Sequence, residues 1–375
     1  MRHFESIHSY SNINLMSFIN SVPQHIQRIP GYKSENPAEE IEREIGVKVV
    51  QLGMNENPFG PSPKGVAAAR AYMENVAPYP DDSAFFLRQK LAAHYKISMD
   101  ELIVSSGSSD ILAMAYHAVI APGAEALTGE ASFIVYYQLA DMLNMPLVRV
   151  PMKEYGFDLT EMARRITSQT RLITLANPNN PTGTIIRREQ LDEFINKVPD
   201  HVLVVLDEAY FEYVSDRDYP ESLEYVRSGK PVLILRTFSK VFGLAGLRIG
   251  YGISTREMID TLYKVRMAFN TNSVAQVAAL AAWDDREHVR KSVEMNREGL
   301  QFLYTELSKR GVKHVPSFAN FVLVDLGRPA REVTSALLKE GVIVRPAWGC
   351  PTCMRVSVGT HEQNETFVAA LEKVL

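Results

Sequence analysis

A lysine, Lys240, sits in the run LRTFSKVFGLAGLRIGYG (235–252) among small and apolar residues that offer a cation little to pair with. An amine in an apolar pocket loses the hydration of its charged form, so its pKa falls and the neutral amine can condense with an aldehyde to a Schiff base. The alternative for an isolated Ser-Lys is an exposed loop lysine. Neighbouring motifs favour the pocket. Asp207, in DEAY, follows the apolar run HVLVVL, where a carboxylate is costly unless it meets a positive partner such as a protonated ring nitrogen. NPNNPTG (177–183) supplies amide side chains on a turn-rich loop. Gly107, Ser108 and Ser109 open a helical pattern whose free N–H groups and two hydroxyls suit a phosphate, and Arg248 can add a bidentate contact to it. Helix capping is the plainer use of such serines.

These residues need a scaffold that brings them together. LIVSSG (102–107), RLITLANP (171–178), HVLVVLDEAY (201–210) and PVLILRTFS (231–239) are apolar runs without alternation, each ending in polar or turn residues and separated by helical patterns. Such runs suit strands buried on both faces, so the fold class is α/β, a mostly parallel central sheet flanked by helices. Ligands collect at the carboxyl ends of parallel strands, which is where the four polar stretches fall. After about residue 285 the pattern becomes that of a smaller α+β unit: a charged helix, FANFVLVDL (318–326), a helix near 331–341, VIVRP, MRVSVGT and a closing helix. We expect an N-terminal arm over 1–28, a large domain over 60–280, and a small domain built from 29–59 and 281–375.

Composition narrows the partners. With 375 residues, 46% hydrophobic and 22% charged, the chain reads as soluble and globular. A net charge of −4 gives no electrostatic footprint for nucleic acid or an anionic membrane. The opening residues lack the apolar run of a signal peptide and no window of about 18 residues is uninterruptedly apolar, so no membrane association and a cytoplasmic location are expected. Cys350 and Cys353 form one C-x-x-C without a second ligand pair, which speaks against a metal and leads us to expect two reduced thiols.

Taken together, GSSD, NPNNPTG, DEAY and TFSKVFGLAGLRIGYG, in this order and spacing, resemble the fold-type I pyridoxal-phosphate aminotransferases. IPGYK (29–33), MNENPFGPSPK (54–64) and YPDDSAFFLRQKLA (79–92) narrow the resemblance to the histidinol-phosphate aminotransferase subfamily, from about residue 28 to the C-terminus. The resemblance implies that Lys240 binds pyridoxal 5'-phosphate covalently and moves a proton during catalysis, that Asp207 pairs with the ring nitrogen, and that Tyr210 and Asn180 hydrogen-bond the ring oxygen. It implies a phosphate site of Gly107, Ser108, Ser109, Thr237 and Arg248, with Phe133 stacked on the ring. Tyr79 would reach the cofactor of a neighbouring subunit, which makes the protein a homodimer with shared sites. Read from the residues alone, Phe133 in ASFIVYYQL can equally be core. Arg345 and Arg355 would bind the anionic end of the substrate, since a guanidinium grips a carboxylate or phosphate with two hydrogen bonds. Glu56 and Asn57, on a segment that closes over the site, would join them in binding substrate.

The implied reaction transfers an amino group from histidinol phosphate to 2-oxoglutarate by a ping-pong route, with a small-molecule amino donor and a 2-oxo acid as partners. Transamination of an aromatic or other amino acid, and decarboxylation of a phosphorylated amino acid, are the alternatives. Three departures bear on the substrate: Val241 follows the lysine where the family has a small residue, Ala131 and Ser132 replace a common Pro-Thr, and RPAWGCPTCMR (345–355) is about two residues shorter than usual.

Overall fold

The computed structural model describes residues 18–31 and 38–375. Most of the expected N-terminal arm, and Tyr32 and Lys33 of the IPGYK motif, lie outside the described residues. Seven strands form the main sheet: β1 (Leu102–Ser105), β2 (Glu125–Gly129), β3 (Leu147–Val150), β4 (Thr170–Ala176), β5 (Leu203–Asp207), β6 (Val232–Thr237) and β7 (Gly250–Ile253). Their order is β1-β7-β6-β5-β4-β2-β3. The strands from β6 through to β3 run parallel, and β7 lies antiparallel to both β6 and β1. The α/β expectation holds. The four apolar runs are β1, β4, β5 and β6; β2, β3 and β7 are further strands, whose polar residues and glycines (EALTG, LVRV, GYGI) keep them from standing out as apolar runs.

Every residue of β5 and β6 is buried, and the pleat divides them between two cores. Val204, Leu206, Val232 and Ile234 face one hydrophobic cluster; Leu203, Val205, Leu233 and Leu235 face the other, under the helix Ser108–Val119. Alternate side chains of a strand point to opposite faces. Burying each such side chain contributes about 1.5–3 kcal/mol, so both faces anchor the strands and fix where their ends project.

A second, four-stranded antiparallel sheet follows: β8 (Lys313–Val315), β9 (Phe321–Asp325), β10 (Arg345–Pro346) and β11 (Cys353–Ser357), in the order β8-β9-β11-β10. The 24-residue helix Arg286–Lys309 and the helices Ala330–Lys339 and His361–Val374 accompany it. VIVRP divides: Val342–Ile343 pairs in parallel with the early segment Val50–Gln51, and only Arg345–Pro346 joins the small sheet. Residues just after Gln51 are thereby carried between the two sheets. Among the described residues, no helix is long and apolar enough to cross a membrane.

Candidate active site

The strand ends and the small sheet enclose a cavity of about 1230 Å3. Its floor comes from β5 and β6. Asp207, the last residue of β5, is 5% exposed; its Oδ2 accepts a hydrogen bond from Tyr136 Oη at 3.1 Å, while its Oδ1 is buried with no partner. Burial pushes this carboxyl up to about 6, against the opposing pull of the Tyr136 hydroxyl, the Ala209 N–H and the Lys240 charge. A buried acceptor left without a donor is expensive, on the order of 1–3 kcal/mol, unless a ligand supplies the donor.

Lys240 follows β6 by three residues and lines the same cavity, partly buried. Its Nζ donates to the main-chain oxygens of Asn55 at 3.1 Å and Met54 at 3.3 Å. Burial brings its pKa from the ordinary 10.5 down to about 8, helped by the Arg355 and Arg248 guanidinium groups and opposed by Glu56 and Asp207. The pocket reading of this lysine, rather than the exposed loop, is the one its placement supports. Val241 is fully buried against the main core and plays no part in the cavity wall.

Tyr210, almost fully buried, accepts hydrogen bonds at its hydroxyl from Asn55 Nδ2 (2.9 Å) and Asn180 Nδ2 (3.3 Å). With both acceptor positions filled, its own O–H is left to donate into the cavity. Burial raises its pKa. Asn180, held in the turn between the cis peptide bonds Asn177–Pro178 and Asn180–Pro181, also accepts from Arg355 Nη1 at 2.7 Å, so one amide joins Tyr210 to the small sheet.

At the other side lie the residues expected to hold a phosphate. Gly107 precedes the helix Ser108–Val119 with φ +89°, and a Cβ there would stand 2.7 Å from Arg248 Nη2. Only glycine satisfies both demands. Ser108, Ser109, Thr237, Ser239 and Arg248 line the cavity around the helix's free N–H groups. Arg248 is itself left-handed (φ +56°), a strain of about 1–3 kcal/mol for a side chain of this kind. Its Nη1 donates to Ala245 O at 2.9 Å and reaches Ser239 Oγ at 3.4 Å. Phe133 lines the cavity directly before the helix Ile134–Met142, edge-on to Tyr136 at 5.7 Å.

The outer wall belongs to the small sheet. Arg345 and Arg355 face each other across β10 and β11, and both line the cavity. Arg355 Nη2 donates to Gly53 O at 2.5 Å, and Arg345 Nη2 lies 3.1 Å from Met54 Sδ. Like charges directly opposite on neighbouring strands are destabilising, a cost an anion between them removes. Burial, with Arg345 nearby, lowers the pKa of Arg355.

Two sequence expectations are corrected. Asn57 does not line the cavity: its Nδ2 donates to Val241 O and to Ser292 Oγ, both at 2.8 Å, and its Oδ1 accepts from the Phe59 N–H, so the side chain anchors the segment from outside. Glu56 does line it. Cys350 and Cys353 are not two thiols but a disulfide, because the turn Ala347–Thr352 folds back on β11 and brings the two Cα atoms to 5.2 Å. Such a separation is the common one for a bridge. Tyr79 is 81% exposed, stacked on Phe269 at 4.8 Å, and is not part of this chain's cavity wall. Sequence reasoning missed Asn55, Ser239, Tyr136 and Trp348. Asn55 and Ser239 lie within motifs already singled out, one residue from a chosen position, whereas nothing local marks Tyr136 or Trp348.

Comparison with known proteins shows the family. Residues 47–371 match the family model described as aminotransferase class I and II. A protein of Moorella thermoacetica named histidinol-phosphate aminotransferase is 46% identical over 354 residues, 93% of this chain and 92% of that protein. One of Pseudomonas fluorescens named histidinol-phosphate aminotransferase 2 is 42% identical over 93% of this chain and 96% of its own length. Among solved structures, histidinol-phosphate aminotransferase from Sinorhizobium meliloti in complex with pyridoxal-5'-phosphate superposes with a TM-score of 0.89 at 29% identity, covering 96% of this chain and 98% of that one. The chain belongs to the class I and II aminotransferase family.

Proposed function

We propose that the protein is a pyridoxal-phosphate-dependent aminotransferase that exchanges an amino group between histidinol phosphate and 2-oxoglutarate. The observation that carries the cofactor is Asp207 Oδ1, a buried acceptor without a donor on the floor of a cavity that also holds Lys240. A protonated ring nitrogen is the donor that oxygen lacks. Pyridoxal phosphate, when bound, supplies an aldehyde carbon to take up the amino group and an electron-poor ring to stabilise charge at the substrate's α-carbon.

This chain's residues supply the rest. Lys240 would hold the aldehyde through Nζ, and the same amine, once displaced by the substrate, takes and returns the α-proton. A pKa of about 8 gives it a usable neutral fraction near pH 7, where an ordinary lysine has almost none. Asp207 would hold the ring's positive end, and the Tyr210 hydroxyl and Asn180 amide its oxygen. Gly107, Ser108, Ser109, Thr237, Ser239 and Arg248 would hold the phosphate, with Phe133 against one face of the ring. Arg345 and Arg355 would take the substrate's anionic end. Their two positive charges favour a phosphorylated or carboxylated donor, and the names of the relatives at 42–46% identity favour histidinol phosphate among these.

The working unit on this reading is a cytoplasmic homodimer. Tyr79, Phe85, Phe86, Met267 and Phe269 are exposed apolar side chains, and Asp82, close by, binds both Arg266 and the Phe269 N–H. A second copy would cover these rings and carry Tyr79 towards its cofactor. The test is to load the chain with pyridoxal phosphate and screen donors for loss of its visible band. Histidinol phosphate should bleach it before histidine, phenylalanine or threonine phosphate. Failure of all four as donors, with release of carbon dioxide from one, overturns the assignment.

A further inference from the structure

We propose that Cys350–Cys353 is a redox modification site on the cavity wall, a bridge opened by thiol–disulfide exchange with an external dithiol and governing how the wall holds substrate. The consequence for substrate rests on the reading that Arg345 and Arg355 bind it; the exchange itself does not. The bridge lies between the two arginines, in the shortened stretch RPAWGCPTCMR, and these are the only cysteines in the chain.

Its two sulfurs stand in different places. Cys353 is fully buried as the first residue of β11, paired with Asp325 of β9. Cys350 is partly exposed and lines the cavity. Attack is therefore directed to Cys350. A thiolate of the dithiol bonds to Cys350 Sγ, the Cys350–Cys353 bond breaks, and Cys353 leaves as a thiolate that takes up a proton. The second thiol of the reductant then attacks the mixed disulfide and frees Cys350. The chain has gained two electrons and two protons, and the dithiol has become its disulfide.

The turn is held unevenly, which is why opening the bridge matters. Its second limb is tied without the sulfurs: Ala330 N–H donates to Pro351 O (2.9 Å), Thr352 Oγ1 donates to Asp325 Oδ1 (2.8 Å), and Leu326 N–H donates to Thr352 O (3.0 Å). The first limb, Trp348 to Cys350, is held by the bridge, by packing, and by bonds of Cys350: its O accepts from the Cys353 N–H at 3.0 Å, its N–H donates weakly to Ala347 O at 3.4 Å, and its sulfur lies 3.8 Å from Thr352 Oγ1. Gly349 in this limb lies so near Glu130 and Ala131 that a Cβ on it would fall 2.7 Å from Glu130 O, and Trp348 leans on Tyr137 at 5.3 Å. Reduction releases the limb that carries Trp348 over the cavity mouth and leaves the limb leading into Arg355 in place. So small a ring constrains few unfolded conformations, so its effect is local.

The experiment equilibrates the holoenzyme in dithiothreitol and in glutathione mixtures graded from reduced to oxidised. The thiol count of the native chain should pass from two to zero, with a change in tryptophan emission at the same midpoint that Trp348→Phe abolishes. On reduction the KM for the amino donor should rise about threefold to tenfold, the scale of losing preorganisation in one loop, with a smaller change in kcat. The double variant C350S/C353S should match the reduced enzyme in every mixture. The proposal is overturned if two thiols persist in the most oxidised mixture, or if Trp348 emission or the KM of a working enzyme is indifferent to the thiol count. Should thiols and emission respond while no amine is turned over in either state, the substrate assignment falls and the redox site stands.

Discussion

Two neighbouring carboxylates at the end of β5 meet opposite fates. Asp207 projects to the cavity face, with one oxygen bound by Tyr136 and the other by nothing. Glu208 projects to the other face, where Arg236 Nη2 and Nε donate to its Oε2 at 2.7 and 2.9 Å and Ser222 Oγ donates to its Oε1 at 2.5 Å. The pleat does the sorting: Arg236 shares a face with Ile234, and Thr237 with Leu235, so β6 presents a cation to Glu208 and a hydroxyl to the cavity. A carboxylate that the protein pairs completely serves the fold. One that it buries and leaves half-paired awaits a ligand.

The comparison can be broken in several ways. The largest effect expected is on the cavity side: Lys240→Ala should lower transamination by about a thousandfold or more, since covalent capture and proton transfer are lost together. The variant should still bind cofactor non-covalently, checked by equilibrium dialysis, and a rate within tenfold of wild type would defeat the assignment. The adjacent carboxylates come next. Asp207→Asn should cost about a hundredfold or more in turnover without lowering stability. Glu208→Gln should do the reverse, destabilising the chain by about 3–5 kcal/mol in urea because Arg236 is left buried against a neutral group, while folded enzyme keeps its rate. Identical behaviour of the two variants would dissolve the distinction.

Substituting Arg355→Lys should raise the KM for a phosphorylated donor about thirtyfold, since a point charge replaces a fork already fixed by Asn180 and Gly53. The smallest effect is on pH. Without cofactor, Asp207 at about 6 gives the native chain more bound protons than the unfolded chain between 3.8 and 6, so its contribution to stability falls as pH rises through that window. Lys240 at about 8 does the opposite: between 8 and 10.5 the unfolded chain binds more protons, and stability rises with pH. Urea unfolding of wild type against Asp207→Asn and Lys240→Met, at fixed salt, checks both slopes.

Much of this was legible in the chain. Unalternating apolar runs located β1, β4, β5 and β6, and the polar residues that end them are the ones that meet, because strand direction alone places them at one edge. The departures have physical reasons. Asn55 and Tyr210 touch across 155 residues, and nothing in NEN says which amide turns inward; Asn57, the amide expected there, is an anchor instead. Ser239 was hidden by the lysine beside it. The C-x-x-C gave no sign of its bond because pairing depends on a turn whose shape is set by contacts with Asp325, Ala330 and Glu130.

The early segment Val50–Gln51 adds itself to Val342–Ile343, and the N–H of Asn55, a few residues on, donates to Ser357 Oγ. The carbonyls that hold Lys240 are thus set in place by residues that follow the whole of the main sheet in the chain. A nascent chain can complete all seven strands of its main sheet and still lack the cage around its amine. The surroundings that tune Lys240 therefore form only once Val342–Ile343 and Ser357 have been made and have closed on the segment Val50–Asn55.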